Sequence, residues 1–347
     1  MRADRLALKD LDALVVTNLV NVRYLTGYTG SNGVAVVGPD TRLFFTDFRY
    51  MTQAASQVSG FEVIRGERDL LGDVAERVSG KVGFEDAHVS VRKLERLRGL
   101  VGEGVELVAA GDRVEELRAV KEAGEVDAIR AAAELADEAL TQVLARGLVG
   151  RTEHEVAVDL EHTMRVLGAE GPSFGSIVAS GAHGALPHAE PRAVAIPSDV
   201  LVTIDWGAIV DGYCSDCTRT YATGTLEADA EAGYELVRSV QEKSVEAVRA
   251  GAHGKEVDAV GRNVIAAAGH GDHYGHGLGH GVGLEVHEGP NLSPRSKDTL
   301  VAGNIVTVEP GIYVPDRFGV RIEDLVVVTD DGCDVLSSLR KALTVVD

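Results

Sequence analysis

Cysteine is scarce in this 347-residue chain: Cys214, Cys217 and Cys333 are too few for a disulfide framework. Cys214 and Cys217 have the CxxC spacing of redox proteins, but they lie in a run that alternates like a strand through Tyr213, Ser215 and Cys217. On a strand, positions 214 and 217 face opposite ways and do not easily close a bond, so two buried thiols flanking Asp216 are expected. Aromatic residues make up only 5% of the chain, with one Trp, so the cores must be built mostly from Ala, Val and Leu. Basic residues are also in deficit, 34 Lys and Arg against 54 Asp and Glu, for a formal net charge of -20. That balance argues against nucleic acid or an anionic membrane as partner. No run approaches the ~18 apolar residues of a membrane span. The opening MRADRLALKDLDALVV interleaves charges with its leucines, unlike a secretory signal, and a cytoplasmic location is expected.

What is present suggests two domains. A boundary near Gly111 to Val120 divides the chain into residues 1–115 and 116–347. In the first part DALVVT, GVAVVGP, TRLFFTD, FEVIR, KVGFE and VELVAA read as strands. RYMTQAASQ, LLGDVAERV and VRKLERLRGLV read as helices between them, which predicts an α/β domain with a mixed or parallel sheet. Asp47 and Arg49 read there as surface or capping groups, with a substrate contact from a partner subunit as the alternative, and His88 reads as structural. The second part opens on a long Ala- and Glu-rich stretch whose apolar residues (Val126, Ile129, Ala133, Ala136, Leu140, Leu144) recur in threes and fours. Thr152 and Glu155 form a capping-box pattern at the next helix. SVQEKSVEAVRA and GKEVDAVGRNVIAAAG supply a second helix pair. A candidate β-hairpin follows each pair, so an internal pseudo-twofold is expected.

Those hairpins carry four carboxylates. VLVTIDWGAIV and GYCSDCTRTYA flank Asp211-Gly212, a favourable tight-turn dipeptide, and Asp205 and Asp216 stand almost symmetrically about it. NIVTVEPGIYV and GVRIEDLVVV flank Pro315 to Gly319, and Glu309 and Glu323 are equidistant from Asp316. Folding each hairpin brings its pair together across the ladder. Lone carboxylates among Val202, Ile204, Val306, Val308 and Ile322 would be costly to bury, whereas a divalent cation satisfies several at once. A histidine partner is available in GHGDHYGHGLGHGVG, which holds His270, His273, His276 and His280. Each glycine there costs a helix about 1 kcal/mol relative to Ala, so a loop entering a strand is expected, with close backbone approach. Oxygen-rich ligation with one imidazole suits Mn²⁺ or Co²⁺ better than a structural zinc. On the residues alone, His188 in ALPHAEP and His287 in EVHEGP read as hydrogen-bonded structural histidines.

The order Asp205, Asp216, His280, Glu309, Glu323 resembles the pita-bread metallopeptidases, the group of methionine aminopeptidase, aminopeptidase P and prolidase. ALPHAEP, IDWGAIVDGYCSDCTRT, GHGLGHGVGLEVHEGP, VEPGIY and GVRIED are similar to motifs of its Xaa-Pro-cleaving branch, and YLTGYTGSNG to that branch's N-terminal domain. The likeness covers nearly the whole chain. It implies a creatinase-like α/β domain over 1–115 and an α+β pita-bread catalytic domain over 116–347. It also implies two divalent cations, Mn²⁺ first and Co²⁺ or Zn²⁺ as alternatives, on Asp205, Asp216, His280, Glu309 and Glu323. By the same resemblance His188, His287 and Glu309 are catalytic, His276 and Arg321 lie beside the substrate, the substrates are short proline-containing peptides, and the chain forms a homodimer.

Prolidases commonly carry an arginine shortly after the VHE motif. Here HEGPNLSPRS has Asn291 at that place and Arg295 later. With YTGSNG and VHEGPNLS, this puts an Xaa-Pro aminopeptidase first and an Xaa-Pro dipeptidase (prolidase) as the alternative. A non-catalytic binding module on the same fold is the third reading, opposed by the presence of all five ligand-type residues and both accessory histidines.

Overall fold

The computed structural model describes residues 2–347. It divides into one unit ending at Arg118 and a second running from Ala119 to Asp347. In the first unit the six Val- and Phe-rich stretches form one sheet. Its strands are β1 (Ala13–Val16), β2 (Val34–Val37), β3 (Arg42–Thr46), β4 (Glu62–Arg65), β5 (Lys81–Phe84) and β6 (Glu106–Ala109), in spatial order β4-β3-β2-β1-β5-β6. β1, β5 and β6 are parallel, as are β3 and β4, while β2 is antiparallel to both neighbours. Every residue of β1 and β2 is buried, as in strands covered on both faces. Among the described residues five α-helices accompany them: α1 (Leu19–Thr26), α2 (Met51–Gln57), α3 (Leu71–Ala75), α4 (Val91–Leu100) and α5 (Arg113–Ala119). α1 is not announced by the sequence, because Val20, Val22, Tyr24 and Thr26 are strand-favouring types. Its ends were nonetheless written in the chain: the Asn18 side chain accepts from the Val20 N–H, and Gly27 closes the helix at φ +81°.

The second unit repeats a helix pair and a strand block. α6 (Ala123–Leu144) and α7 (Glu153–Val166) precede β7 (Gly171–Pro172), β8 (Ile177–Ser180), β9 (Leu201–Trp206), β10 (Ala208–Val210), β11 (Tyr213–Cys214) and β12 (Cys217–Ala222). α8 (Ala228–Glu246) and α9 (Gly254–Ile265) precede β13 (Gly279–Gly281), β14 (Glu288–Leu292), β15 (Ile305–Val308), β16 (Gly311–Val314), β17 (Phe318–Arg321), β18 (Asp324–Val328) and β19 (Cys333–Val335). The long helical stretch breaks between α5 and α6. There the Lys121 N–H donates to Gly303 O, and Glu122 with Glu125 makes a capping box that restarts the helix. The Thr152 and Glu155 capping box opens α7. Cys214 and Cys217 end and begin different strands, and their sulfurs point to Leu284 O and Glu323 O respectively. Among the described residues no helix is long and apolar enough to cross a membrane.

Two apolar cores position the hairpins. Leu140, Val143, Leu160 and Met164 of the first helix pair bury against Val202, Ile204 and Trp206 of β9. Tyr234, Val237 and Val240 of α8 do the same against Ile312, Val320 and Ile322. Each hairpin is thus pressed from behind by its own helices. Leu160 is fully buried in the first core, so Leu160→Ala is expected to lower stability by about 2–5 kcal/mol. Denaturant unfolding would show a lower midpoint at unchanged slope; a loss under about 1 kcal/mol would mean that this contact does not hold α7 to β9.

Candidate metal centre

Turn geometry places the carboxylates. Asp211 and Gly212 take φ of +50° and +79°, as a two-residue hairpin turn requires. The resulting register pairs Ile209 with Cys214 and Asp205 with Thr218, which sets Asp216 diagonally across from Asp205. In the second hairpin Val308 pairs with Asp324 and Gly311 with Arg321. The same register sets Glu309 opposite Glu323, in the gap between the two ladders. In that gap the Glu309 N–H donates to Leu278 O and the Glu323 N–H to Thr218 O. Each glutamate's backbone is thereby fastened to a different neighbouring segment.

The carboxylates of Asp205, Asp216 and Glu323 offer oxygens within 4.8 Å of one another. His280 Nε2 lies 3.3 Å from Glu309 Oε1 and 3.7 Å from Asp216 Oδ2. Two ligand groups therefore adjoin, with Asp216 common to both. His280 Nδ1 stands 3.0 Å from the Gly281 carbonyl. A carbonyl only accepts, so Nδ1 carries the proton and Nε2 turns towards the carboxylates. The flanking glycines permit this approach: a Cβ at Gly279 would stand 1.9 Å from Thr307 O, and one at Gly281 2.2 Å from Gly289 O.

Such a gathering of like charges needs a counter-ion. Burial, and then the carboxylates of Glu323 and Asp205, push Asp216 well above the usual carboxylate range. Burial, and then Glu309 and Asp205, do the same to Glu323. Burial also raises Asp205, against the opposing charge of Arg321. Glu309 goes the other way: burial opposes its ionisation, but the His280 hydrogen bond and charge bring its pKa down to about 2. Asp205 Oδ1 is buried without a hydrogen-bond partner, while Oδ2 lies 2.6 Å from Arg321 Nη2. An orphaned carboxylate oxygen, clustered carboxylates and an aimed imidazole are a donor set that fits oxygen-preferring divalent cations.

The cluster floors a cavity of about 810 Å³ that every expected site residue reaches, on different terms. His188 and His287 are exposed in it. The His287 ring meets His280 edge-on, centroids 4.3 Å apart; partial desolvation by the cavity wall, and then His280, lower its pKa. His276 and Arg321, expected beside the substrate, line the cavity with their polar atoms already engaged. His276 Nδ1 donates to Gly277 O at 2.8 Å, and Nε2 stands 2.9 Å from the Tyr313 hydroxyl. Arg321 donates to Asp205 Oδ2, to Tyr313 Oη at 2.8 Å, to Pro187 O at 3.1 Å and to Thr218 Oγ1 at 3.0 Å. It braces Asp205 rather than Glu323. Tyr313 and Thr218 are further site residues that the sequence did not single out, although they lie in VEPGIY and IDWGAIVDGYCSDCTRT; the Thr218 hydroxyl donates to Glu323 Oε2 at 2.7 Å. Asn291 is on the cavity wall and Arg295 is not. His270 and His273 do not line it; their Nδ1 atoms face each other at 3.0 Å.

A cluster of this kind between two hairpins of a repeated helix-and-strand unit defines a metal-dependent hydrolase of the pita-bread class. The sequence model of Metallopeptidase family M24 matches residues 127–330, and that of the Creatinase/Prolidase N-terminal domain matches residues 3–120. The chain belongs to metallopeptidase family M24. It is 34% identical to the Xaa-Pro dipeptidase of Pyrococcus furiosus, over 96% of this chain and 95% of that protein. Its fold matches the solved Xaa-Pro dipeptidase from Bacillus anthracis with a TM-score of 0.96, at 37% identity over 99% of each chain. It matches the X-Pro aminopeptidase from Thermotoga maritima MSB8 with a TM-score of 0.92, at 35% identity over the whole of both. The pita-bread resemblance, the two-part fold class and the expectation of a metallopeptidase are borne out.

Adding Mn²⁺ to metal-free protein is expected to raise its melting temperature, by the equivalent of about 2.7 kcal/mol at a hundred times the dissociation constant. Asp216→Ala, at the junction of the two groups, is expected to abolish that rise. An equal rise in wild type and variant would put the ion elsewhere.

Proposed function

We propose that this chain is an Xaa-Pro peptidase of the prolidase type, which hydrolyses the bond between an N-terminal residue and a following proline and takes Xaa-Pro dipeptides as substrates. The observation that carries the reading is the five-residue ligand cluster at the floor of an open cavity. The activities by which similar proteins are known add the Xaa-Pro preference, and they favour the dipeptidase over the aminopeptidase that the sequence put first. Asp205, Asp216 and Glu323 would hold one cation, and Asp216, Glu323, His280 and Glu309 the other, Mn²⁺ before Co²⁺ or Zn²⁺. Ions bound there supply Lewis acidity and a water acidified towards neutral pH.

The chain's own residues do the rest. Arg321 fixes Asp205 and Thr218 fixes Glu323, so the ligand geometry is set before substrate arrives. Glu309, kept ionised beside His280, takes the proton from the attacking water and passes it to the departing nitrogen. Like any amide nitrogen, that of proline leaves as a neutral amine only once it has gained a proton, and this transfer supplies it. His188 and His287 line the cavity, where an imidazole N–H would be suited to steady the carbonyl oxygen as charge builds on it.

One observation favours the aminopeptidase as a second reading. A dipeptide carries a free carboxylate on its proline, yet Arg321 is the one Arg or Lys among the described cavity-lining residues, and it is engaged by Asp205, Thr218, Tyr313 and Pro187. Offering Gly-Pro and Gly-Pro-Ala to the Mn²⁺-loaded protein separates the two. Ready cleavage of Gly-Pro supports the dipeptidase, and cleavage of the tripeptide alone supports the aminopeptidase. No cleavage of either with metal bound would overturn the Xaa-Pro reading. His287→Ala is expected to lower kcat by about 10²–10³-fold at unchanged metal content.

A further inference from the structure

His188 reaches the cavity from the connection between β8 and β9, residues 181–200. Its ring is exposed and makes no hydrogen bond among the described residues, so its position is inherited from the backbone that carries it. One carboxylate lying outside the cavity lining grips that backbone on both sides of His188. Glu153, the first residue of α7, is fully buried. Its Oε1 accepts from the Ser180 N–H and hydroxyl, both at 2.8 Å, and from Arg192 Nη2 at 3.0 Å. Its Oε2 accepts from the Arg192 backbone N–H at 3.1 Å and Nε at 2.9 Å, and lies 2.9 Å from His183 Nδ1. One side chain therefore grips the connection before His188, at Ser180 and His183, and after it, at Arg192. Between those points Arg321 holds the Pro187 carbonyl, and the return path is bonded to α7 through His154 N–H to Arg192 O and Glu153 N–H to Val194 O. Burial opposes ionisation of Glu153, but the Arg192 and Ser180 hydrogen bonds bring its pKa down to about 2, so the grip is charge-assisted at neutral pH.

The second half of the catalytic unit carries a matching device. Asp258 of α9, also buried, accepts from the Leu278 N–H at 3.0 Å and from Arg262 at 2.7 Å. Arg262 in turn donates to Tyr274 O at 3.1 Å and His276 O at 2.6 Å. In both halves, a buried carboxylate on the second helix of the pair, joined to an arginine, holds the segment that brings histidines to the site.

We propose that Glu153 is a positioning residue, which sets the turnover rate by holding His188 at the cavity through residues 180–192 without itself touching substrate or metal. The assignment rests on the peptidase reading, and its test compares wild type, E153Q, H188A and the double variant on whichever proline peptide the wild type cuts. E153Q is expected to lower kcat about a hundredfold, with KM and metal content near wild type, and E153D to restore part of the loss. The double variant is expected to be no slower than H188A alone, because both changes remove the same contact. Losses that multiply, or a metal content that falls with kcat, would overturn the proposal. R192A, which leaves α7 intact, is expected to follow the same pattern and serves where E153Q does not fold. Hydrogen exchange on the metal-free protein gives a readout independent of activity: residues 181–192 exchange faster in E153Q while 276–281 do not change. Unchanged exchange over 181–192 would also overturn it. That exchange pattern in a protein that cuts no Xaa-Pro peptide would sink the peptidase reading and leave the tether standing.

Discussion

Carboxylates forced together in a buried place are the constraint on which the rest of this structure depends. Two of them about 4 Å apart repel by roughly 4 kcal/mol at an effective dielectric of 20, and here Asp205, Asp216 and Glu323 meet within 4.8 Å. The fold gives three of the four carboxylates a partner of their own. Arg321 is given to Asp205, the Thr218 hydroxyl to Glu323, and His280 to Glu309. Asp216, common to both ligand groups, receives no side-chain or backbone hydrogen bond among the described residues. With the pKa of Glu323 also pushed up and Asp205 Oδ1 unpartnered, the charge of Asp216 adds to an excess that a cation would balance.

The repeated architecture makes that convergence possible. Each hairpin has a helix pair and an apolar core behind it, so its polar face is pressed towards the other. The ladders are interrupted where the glutamates sit, between β15 and β16 on one arm and β17 and β18 on the other. Those gaps let the Glu309 and Glu323 amides bond to Leu278 and Thr218 instead of to each other. The connections that carry histidines have no ladder of their own, and buried carboxylates on α7 and α9 take over that task.

What could be read from the sequence is what local geometry controls. Turn dipeptides and the two-residue period of a strand are enough to bring Asp205 near Asp216 and Glu309 near Glu323, and the glycines around His280 foretell a close backbone approach, which Thr307 and Gly289 make. What escaped the sequence are bonds between distant positions. Arg321 reaches Asp205 across 116 residues and Pro187 across 134, and nothing near Arg321 announces that its donors are spent on protein. The same holds for Tyr313 beside His276, and for Glu153, which reads in the sequence only as part of a helix start. The break before α6 was hidden for a similar reason, since its partner, Gly303, lies far along the chain.

The most direct test of the two-cation site is anomalous diffraction from crystals of the Mn²⁺-loaded protein. The account predicts two peaks about 3.5–4 Å apart, one against Asp205 and one against His280 and Glu309, with Asp216 and Glu323 between them. A single peak, or peaks away from these side chains at saturating Mn²⁺, would contradict it.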